Sequence, residues 1–397
     1  MFGSLRMISK TRNLRFLLYA ILIAGVSFAN AAESKDLFHN QAEWTKGCFA
    51  TMSTPPKETI LPELFPVVIE GTPGRNFGSE QLFAPVVSIA YPMANLGSAC
   101  MTGDHTACQQ FSDWLEKLAD TDSLRFERDK HKKSQSSLVT GELSGNSTLR
   151  PIALYMSILR RHNLITLKDR TTVFDWMRRR VGEYSHISGK ESESELAQNL
   201  VLNSAVTQLA VGIATSDPSL TTGVEKVYRA YIDTMRADGS FPAESQRGQS
   251  ALKYENDAIG LLVLAGEAAL LNGTDLYAYK GPNGDIHKAI HFWLDALQDE
   301  KLISPYAAAN VAPTDPAQQG GKQALYFLGI QRDMIQMGWI IPYVKRFPDS
   351  DNVATIRRLI DHGRISVRDN YDSLLTVYPS CVWGAFQGQK ALHSSHD

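Results

Sequence analysis

Residues 237–274 read ADGSFPAESQRGQSALKYENDAIGLLVLAGEAALLNGT. A turn signal, Ala237-Asp238-Gly239-Ser240, opens the stretch, and a second, Asn272-Gly273-Thr274, closes it. Between them Leu252, Ile259, Leu262 and Val263 recur at three-, four- and seven-residue spacing, which predicts a helix over 249–271. Arg247 and Tyr254 stand seven residues apart, so on one continuous helix two turns return them to one face, about 10 Å apart along the axis. That gap would take a sugar ring. An arginine that clamps a carboxylate, beside a tyrosine that moves a proton, is the equipment for β-elimination on a uronic acid.

The same periodicity extends outward in both directions. Helices are predicted over roughly 80–96, 105–119, 147–162, 170–183, 193–213, 218–236, 249–271, 284–298, 321–346 and 352–372, with breaks such as Gly281-Pro282-Asn283-Gly284 between them. Strand alternation is scarce, so the class is all-α. Some ten helices with short turns, each apolar on one face, suggest hairpins stacked around a common core. An α/α toroid satisfies this pattern, with helix ends and loops building a cleft; a generic bundle or solenoid is the alternative. No strict repeat period demands a solenoid.

The amino terminus reads as an export signal over 1–31. Arg6, Lys10, Arg12 and Arg15 form its basic region, Phe16 to Phe28 its apolar stretch, and Ala29-Asn30-Ala31 a small-residue cleavage site. The apolar run is shorter than the ~20 residues a spanning helix needs, so no stable membrane anchor is expected after cleavage. Residues 32–79 form a Pro-rich, irregular amino-terminal segment, and 80–397 a single large helical domain. The formal charge of the chain is −2; losing four basic and no acidic residues takes it to −6. That argues against nucleic acid as a partner. An anionic polymer remains possible through a local basic groove, for which Arg125 to Lys133, Arg160-Arg161-His162 and Arg178-Arg179-Arg180 are candidates. Four cysteines in an exported chain point to two disulfides. Cys100 and Cys108 enclose a short loop and are expected to pair, and Cys48 with Cys381 would then tie the two termini, although three connectivities are formally open.

Asn199 and Asn203 fall one turn apart in the apolar run Leu196 to Val206. Amides in so apolar a helix either tie neighbouring helices together or line a cleft. Here a resemblance adds to the residues. The block Gly239-Ser240-Phe241-Pro242-Ala243-Glu244, then Arg247, Gln249, Ala251-Leu252, Tyr254 and Asn256, then Leu271-Asn272-Gly273-Thr274-Asp275-Leu276, resembles the core of the alginate lyase family, the poly(β-D-mannuronate) lyases of the periplasm. Weaker matches lie around Cys108 and at Trp339 with Pro342-Tyr343, so the resemblance runs from about residue 80 to 345.

What the resemblance implies is an α/α toroid, a polysaccharide lyase without a cofactor or metal, an anionic polysaccharide as substrate, and a periplasmic or secreted location. The family's arginine and tyrosine carry over to Arg247 and Tyr254, and an ungapped count back from Gly239 brings its Asn-Asn-His motif onto Gln198-Asn199-Leu200. Asn199 matches the second asparagine. Leu200 stands where the family has histidine, and His186 or His162 is the candidate to reach in instead. Gln198, Asn203, Glu244, Tyr91, Trp339 and Tyr343 are the expected substrate-binding residues, the aromatic ones as stacking platforms for sugar rings.

Two other constellations offer different chemistry. Glu244 with Asp257 would suit a glycoside hydrolase on the same toroid. His287, His291 and Asp295 share one helix face at metal-ligand spacing, but no further ligand cluster joins them. A polysaccharide-binding protein in exopolysaccharide biosynthesis or export, its catalysis weakened by the missing histidine, is the non-enzymatic alternative.

Overall fold

The computed structural model describes residues 48, 66–71, 84–131, 135–185, 192–310, 322–328, 336–367 and 371–384, all within the compact unit Leu37–Asp397. The expected export signal and most of the segment 32–79 lie outside them. Among the described residues there are isolated bridges but no strands. No described helix is long and apolar enough to cross a membrane.

Eleven helices carry the architecture: α1 (Tyr91–Met101), α2 (His105–Asp120), α3 (Gln135–Arg161), α4 (Arg170–Glu183), α5 (Asn199–Thr215), α6 (Thr222–Thr234), α7 (Ala251–Leu271), α8 (Ile286–Gln298), α9 (Ile340–Arg346), α10 (Asp351–Asp361) and α11 (Pro379–Trp383). The odd-numbered helices α1, α3, α5, α7 and α9 pack side by side as an inner layer, and α2, α4, α6, α8 and α10 flank them outside. α11 packs on both α9 and α1 and joins the ends of the layer. This is an α/α toroid. Sequence chemistry explains the layering: α5 and α7 are buried on nearly every side, whereas α2, α6, α8 and α10 bury one stripe.

Cross-links fix the direction of the inner helices. Between α3 and α5, Asn146 donates to Ser204 at 3.2 Å, Arg150 to Asn203 at 2.5 Å and Arg160 to the Ala214 carbonyl. Between α7 and α9, Asn256 accepts from Trp339 at 2.9 Å, and Glu267 accepts from Arg346 at 2.7 Å. At the carboxyl ends of α5 and α7, Asn272 reaches Thr221, whose methyl group packs on Gly212. The inner helices α3, α5, α7 and α9 therefore run in parallel, and their amino termini gather at one end of the toroid.

Both disulfides form as expected, Cys100 with Cys108 and Cys48 with Cys381. The first staples α1 to α2. The second draws Cys48 into the core beside α11, and Ile69 is buried where its N–H donates to the Arg125 carbonyl, after α2, so part of the amino-terminal segment belongs to the domain. Several helix boundaries differ from the sequence reading. The helix expected over 147–162 starts at Gln135; that over 193–213 breaks into Glu193–Leu196 and α5; the one over 352–372 stops at Asp361; and of 321–346 only Ile340–Arg346 is helical among the described residues. Arg128, Lys130 and Arg179 of the basic runs line a surface hollow of about 700 Å³ together with Glu127, Asp129 and Glu183, so its lining is of mixed charge, and several described members of the runs are paired locally. Arg125, Arg128 and Lys130 pair with Glu127 or Glu142, Arg178 with Asp175 and Asp217, and Arg180 is buried against Asp122 and Glu183.

Candidate active site at the amino-terminal end of the inner helices

The turn leading into α7 is not part of that helix. Pro242–Ser245 forms one short helical turn, Gly248–Ser250 a 3-10 turn, and α7 begins only at Ala251. Gly248 requires this path, with φ at +55°. A strap from residues 322–328 holds it: Gln323 donates to the Gly248 carbonyl and accepts from Leu252 N, both at 3.0 Å, while Ala324 N donates to Gln249 O at 2.8 Å. Leu252 N is one of the otherwise orphaned donors of a helix start, so a side chain distant in sequence caps α7.

This non-helical entry changes the geometry expected for the central pair. Arg247 and Tyr254 do not stand two turns apart with a sugar-sized gap between them; the guanidinium carbon lies 4.8 Å from the centre of the Tyr254 ring. Arg247 is oriented by its Nε, which donates to the Ala243 carbonyl at 3.0 Å. Both side chains are half-buried. The Lys253 ammonium also lies 4.8 Å from the Tyr254 ring centre, so the phenol has two cations beside it.

Glu244 is behind the site rather than in it. It is fully buried, accepts from Tyr231 at 2.8 Å, and has no solvent-facing surface to offer a substrate. Burial pushes its carboxyl up to about 7 against the opposing pull of Arg247 and the Tyr231 hydroxyl. Asp257 is also buried, and Lys253 holds it at 2.5 Å. The two carboxylates proposed as a hydrolase pair thus face different internal partners.

Asn199 opens α5 instead of lying inside it. Gln198 precedes it in extended conformation and occupies the N-cap position, and the Asn199 Oδ1 accepts from Leu200 N at 2.9 Å. Gln198, Asn199 and Leu200 are all half-buried, at the same end of the toroid as Arg247 and Tyr254. Asn203, one turn on, is buried and turns to Arg150, so it ties helices together rather than meeting substrate. The Arg150 guanidinium is itself buried and also donates to the Leu374 carbonyl at 2.6 Å and to Thr376 at 3.3 Å. Burial brings it down to about 10. Asp372 braces the same hairpin, accepting from Gly338, Leu374 and Leu375 N at 2.7–2.9 Å.

Of the three aromatic platforms expected, one is exposed. Tyr91 is 42% exposed and meets Tyr371 and Tyr378 edge-on or tilted, with ring centres 5.2 and 6.1 Å away. Trp339 and Tyr343 are fully buried: Trp339 donates to Asn256 and packs on Trp293, while the Tyr343 hydroxyl shares a 2.8 Å hydrogen bond with His287. His291 lies against Asn352 and Asp295. No cluster of three or more potential metal ligands occurs among the described residues. His162, just beyond the carboxyl end of α3, sits at the opposite end of the toroid, roughly 20 Å along the inner helices from Asn199 at ~1.5 Å per residue. His186 lies outside the described residues.

Sequence reasoning missed Lys253, Arg150, Asp372 and the 322–328 strap. Only Lys253 had a local signal: it adjoins Tyr254 and is four residues from Asp257 on one helix face.

The fold is an α/α toroid in which Arg247, Tyr254 and Asn199 stand where α5 and α7 begin. The alginate lyase family model matches residues 93–303, just over half of the sequence, and the chain belongs to that family. A protein of Stenotrophomonas maltophilia (strain K279a) described as a polysaccharide lyase is 26% identical over 231 residues, 58% of this chain and 66% of the relative, so the chain spans just under two thirds of it. Among solved structures, alginate lyase A1-III from Sphingomonas species A1 superposes with a TM-score of 0.59 at 20% identity, covering 88% of this chain and 96% of that one. A histidine-to-alanine variant of the same enzyme, complexed with tetrasaccharide, gives 0.60. An alginate lyase from Bacteroides ovatus gives 0.52 at 15% identity, covering 94% of this chain and 98% of that one. At these identities the structural likenesses speak for the fold.

Proposed function

We propose that the chain cleaves an acidic polyuronate, of the polymannuronate or glucuronan kind, by syn β-elimination. The observation that carries this reading is the Arg247 guanidinium 4.8 Å from the Tyr254 ring, at the end of the toroid where α5 begins with Asn199. Variants of alginate lyase A1-III, which shares the fold, are complexed with tetrasaccharide, which supports an oligosaccharide-sized substrate for this chain. Because Arg247 stacks on the phenol, the sugar would lie across both groups, its carboxylate on the terminal guanidinium nitrogens and the Asn199 amide.

The C5 proton of a uronate is very weakly acidic while the adjacent carboxylate carries its charge. Arg247 and Asn199 would neutralise that carboxylate and stabilise the enolate-like anion. A phenol ordinarily ionises near pH 10, and a neighbouring cation favours the phenolate. Tyr254 as phenolate takes the C5 proton; the C5–H electrons become the C4–C5 double bond as the C4–O4 bond breaks, and the phenol returns its proton to O4. One group can serve both ends only if the C5 hydrogen and O4 are syn, as in mannuronate and glucuronate. Guluronate presents them anti and needs a second group, and Leu200 occupies the position where the family supplies histidine. Mannuronate and glucuronate differ at C2, outside the elimination. With the export signal expected over 1–31, the reaction would take place in the periplasm or outside the cell.

The test is incubation with polymannuronate, polyguluronate and glucuronan in turn, following the ultraviolet absorbance of the conjugated double bond. Absorbance should rise with polymannuronate or glucuronan and not with polyguluronate. Tyr254→Phe should retain the fold and lose roughly 100-fold or more in turnover. Turnover near the native rate in that variant would remove Tyr254 from the chemistry, and glycan binding without unsaturated ends would favour a binding protein.

A further inference from the structure

The Tyr254 ring has two cations at the same distance, and the elimination as described uses only one of them. Arg247 approaches from the turn before α7. Lys253 approaches from α7 itself, its ammonium 4.8 Å from the ring centre and 2.5 Å from the Asp257 carboxylate. Lys253 and Asp257 side chains retain only 17% and 10% exposure. One Asp257 oxygen, Oδ1, is buried without a hydrogen-bond partner, so the carboxylate is directed almost wholly at Lys253. In such a place Coulomb interactions are screened far less than at the surface.

Resting on the elimination proposed above, we infer that Lys253 and Asp257 form a charge-setting pair for Tyr254: the ammonium favours the phenolate, and the aspartate limits how far. Lys253 acts through Tyr254 and is a positioning residue in the electrostatic sense. It supplies a second positive charge at a site whose Leu200 brings none. Other charged or titratable groups surround the pair from every side. Arg247 and Glu244 come from the entry turn, Tyr326 from the 322–328 strap, and Asp372 from the 371–377 hairpin. Burial opposes the Lys253 charge, and Asp257 with Tyr254 and Tyr326 outweighs it, so the ammonium stays protonated above the ordinary lysine range. Burial lifts the Asp257 carboxyl while Lys253 opposes that lift.

The inference fixes opposite signs for two substitutions. Lys253→Met removes a cation and should move the Tyr254 ionisation up by about one pH unit or more, as expected for a charge within ~4–6 Å. Asp257→Asn removes the counter-charge and should move it down. Lys253→Arg keeps the charge and should leave it near the native value. Tyr254 can be followed without substrate as the phenolate absorbance of each protein minus that of its Tyr254→Phe partner, which isolates one of 14 tyrosines. The rising limb of kcat/KM against pH, measured on the preferred polyuronate, should shift in the same two directions. Shifts of opposite sign support the pair; no shift, or shifts of the same sign, overturn it. If Lys253→Met does not fold, Asp257→Asn and Lys253→Arg still decide the matter. A native protein without lyase activity would count against the elimination itself, whereas the substrate-free titration judges the pair alone.

Discussion

Glu244 shows how a residue can match a functional block and still not touch the function. Its place in the Phe241-Pro242-Ala243-Glu244 run marks it in the sequence, yet the structure buries it completely against Tyr231. The consequence is a pH dependence of stability. Its folded pKa of about 7 lies above the ~4.3 expected of an unfolded glutamate. Between those values the folded state holds a proton that the unfolded state has lost, so stability falls as pH rises through this window. Asp372, at about 6 through burial, adds to the same trend. Glu244→Gln keeps an acceptor for Tyr231 without a charge to desolvate. Thermal midpoints at pH 5 and pH 8 should therefore lie closer together in this variant than in the native protein; an equal or larger fall would contradict the buried-acid account.

At the scale of elements, the site depends on how helix starts are held. α5 begins at Asn199 because Gln198 leaves the helix, and α7 begins at Ala251 because Gln323 caps it from a distant strap. Arg150 joins three such elements, linking α3 to Asn203 of α5 and to the 371–377 hairpin. Arg150→Met should strand the Asn203 oxygen and the Leu374 carbonyl, at a cost of roughly 1–3 kcal/mol each. Urea denaturation reads this as a lower midpoint. A variant as stable as the native chain would mean that water or a neighbour satisfies both acceptors.

For the whole molecule, the Cys48–Cys381 bridge spans 333 positions and fastens the amino-terminal segment to the helix that joins α9 to α1. Cys100–Cys108 spans only 8 positions, within one hairpin. A longer closed loop removes more entropy from the unfolded chain, so Cys48→Ser with Cys381→Ser should destabilise by about 3–5 kcal/mol, against about 2–3 kcal/mol for the short bridge. Differential scanning calorimetry of the two double variants provides the comparison, and equal losses would point to residual structure in the unfolded chain.

The helical class and both cysteine pairings were legible in the sequence, and the family-like block, with the count back from Gly239, marked Arg247, Tyr254 and Asn199 as candidates. These rest on local chemistry, such as apolar spacing, turn residues and short motifs, that survives without knowledge of neighbours. The tertiary structure decided which marked residues keep some exposure and which turn to the interior. Trp339, Tyr343, Asn203 and Glu244 carry polar handles that suit a binding cleft equally well, and only their partners Asn256, His287, Arg150 and Tyr231 show that those handles are used inside. The distance between Arg247 and Tyr254 was likewise beyond sequence, because it follows from a non-helical entry to α7 held by Gln323, 71 positions beyond Leu252. Periodicity assigns a residue to a face; what that face meets is set by segments remote in the chain.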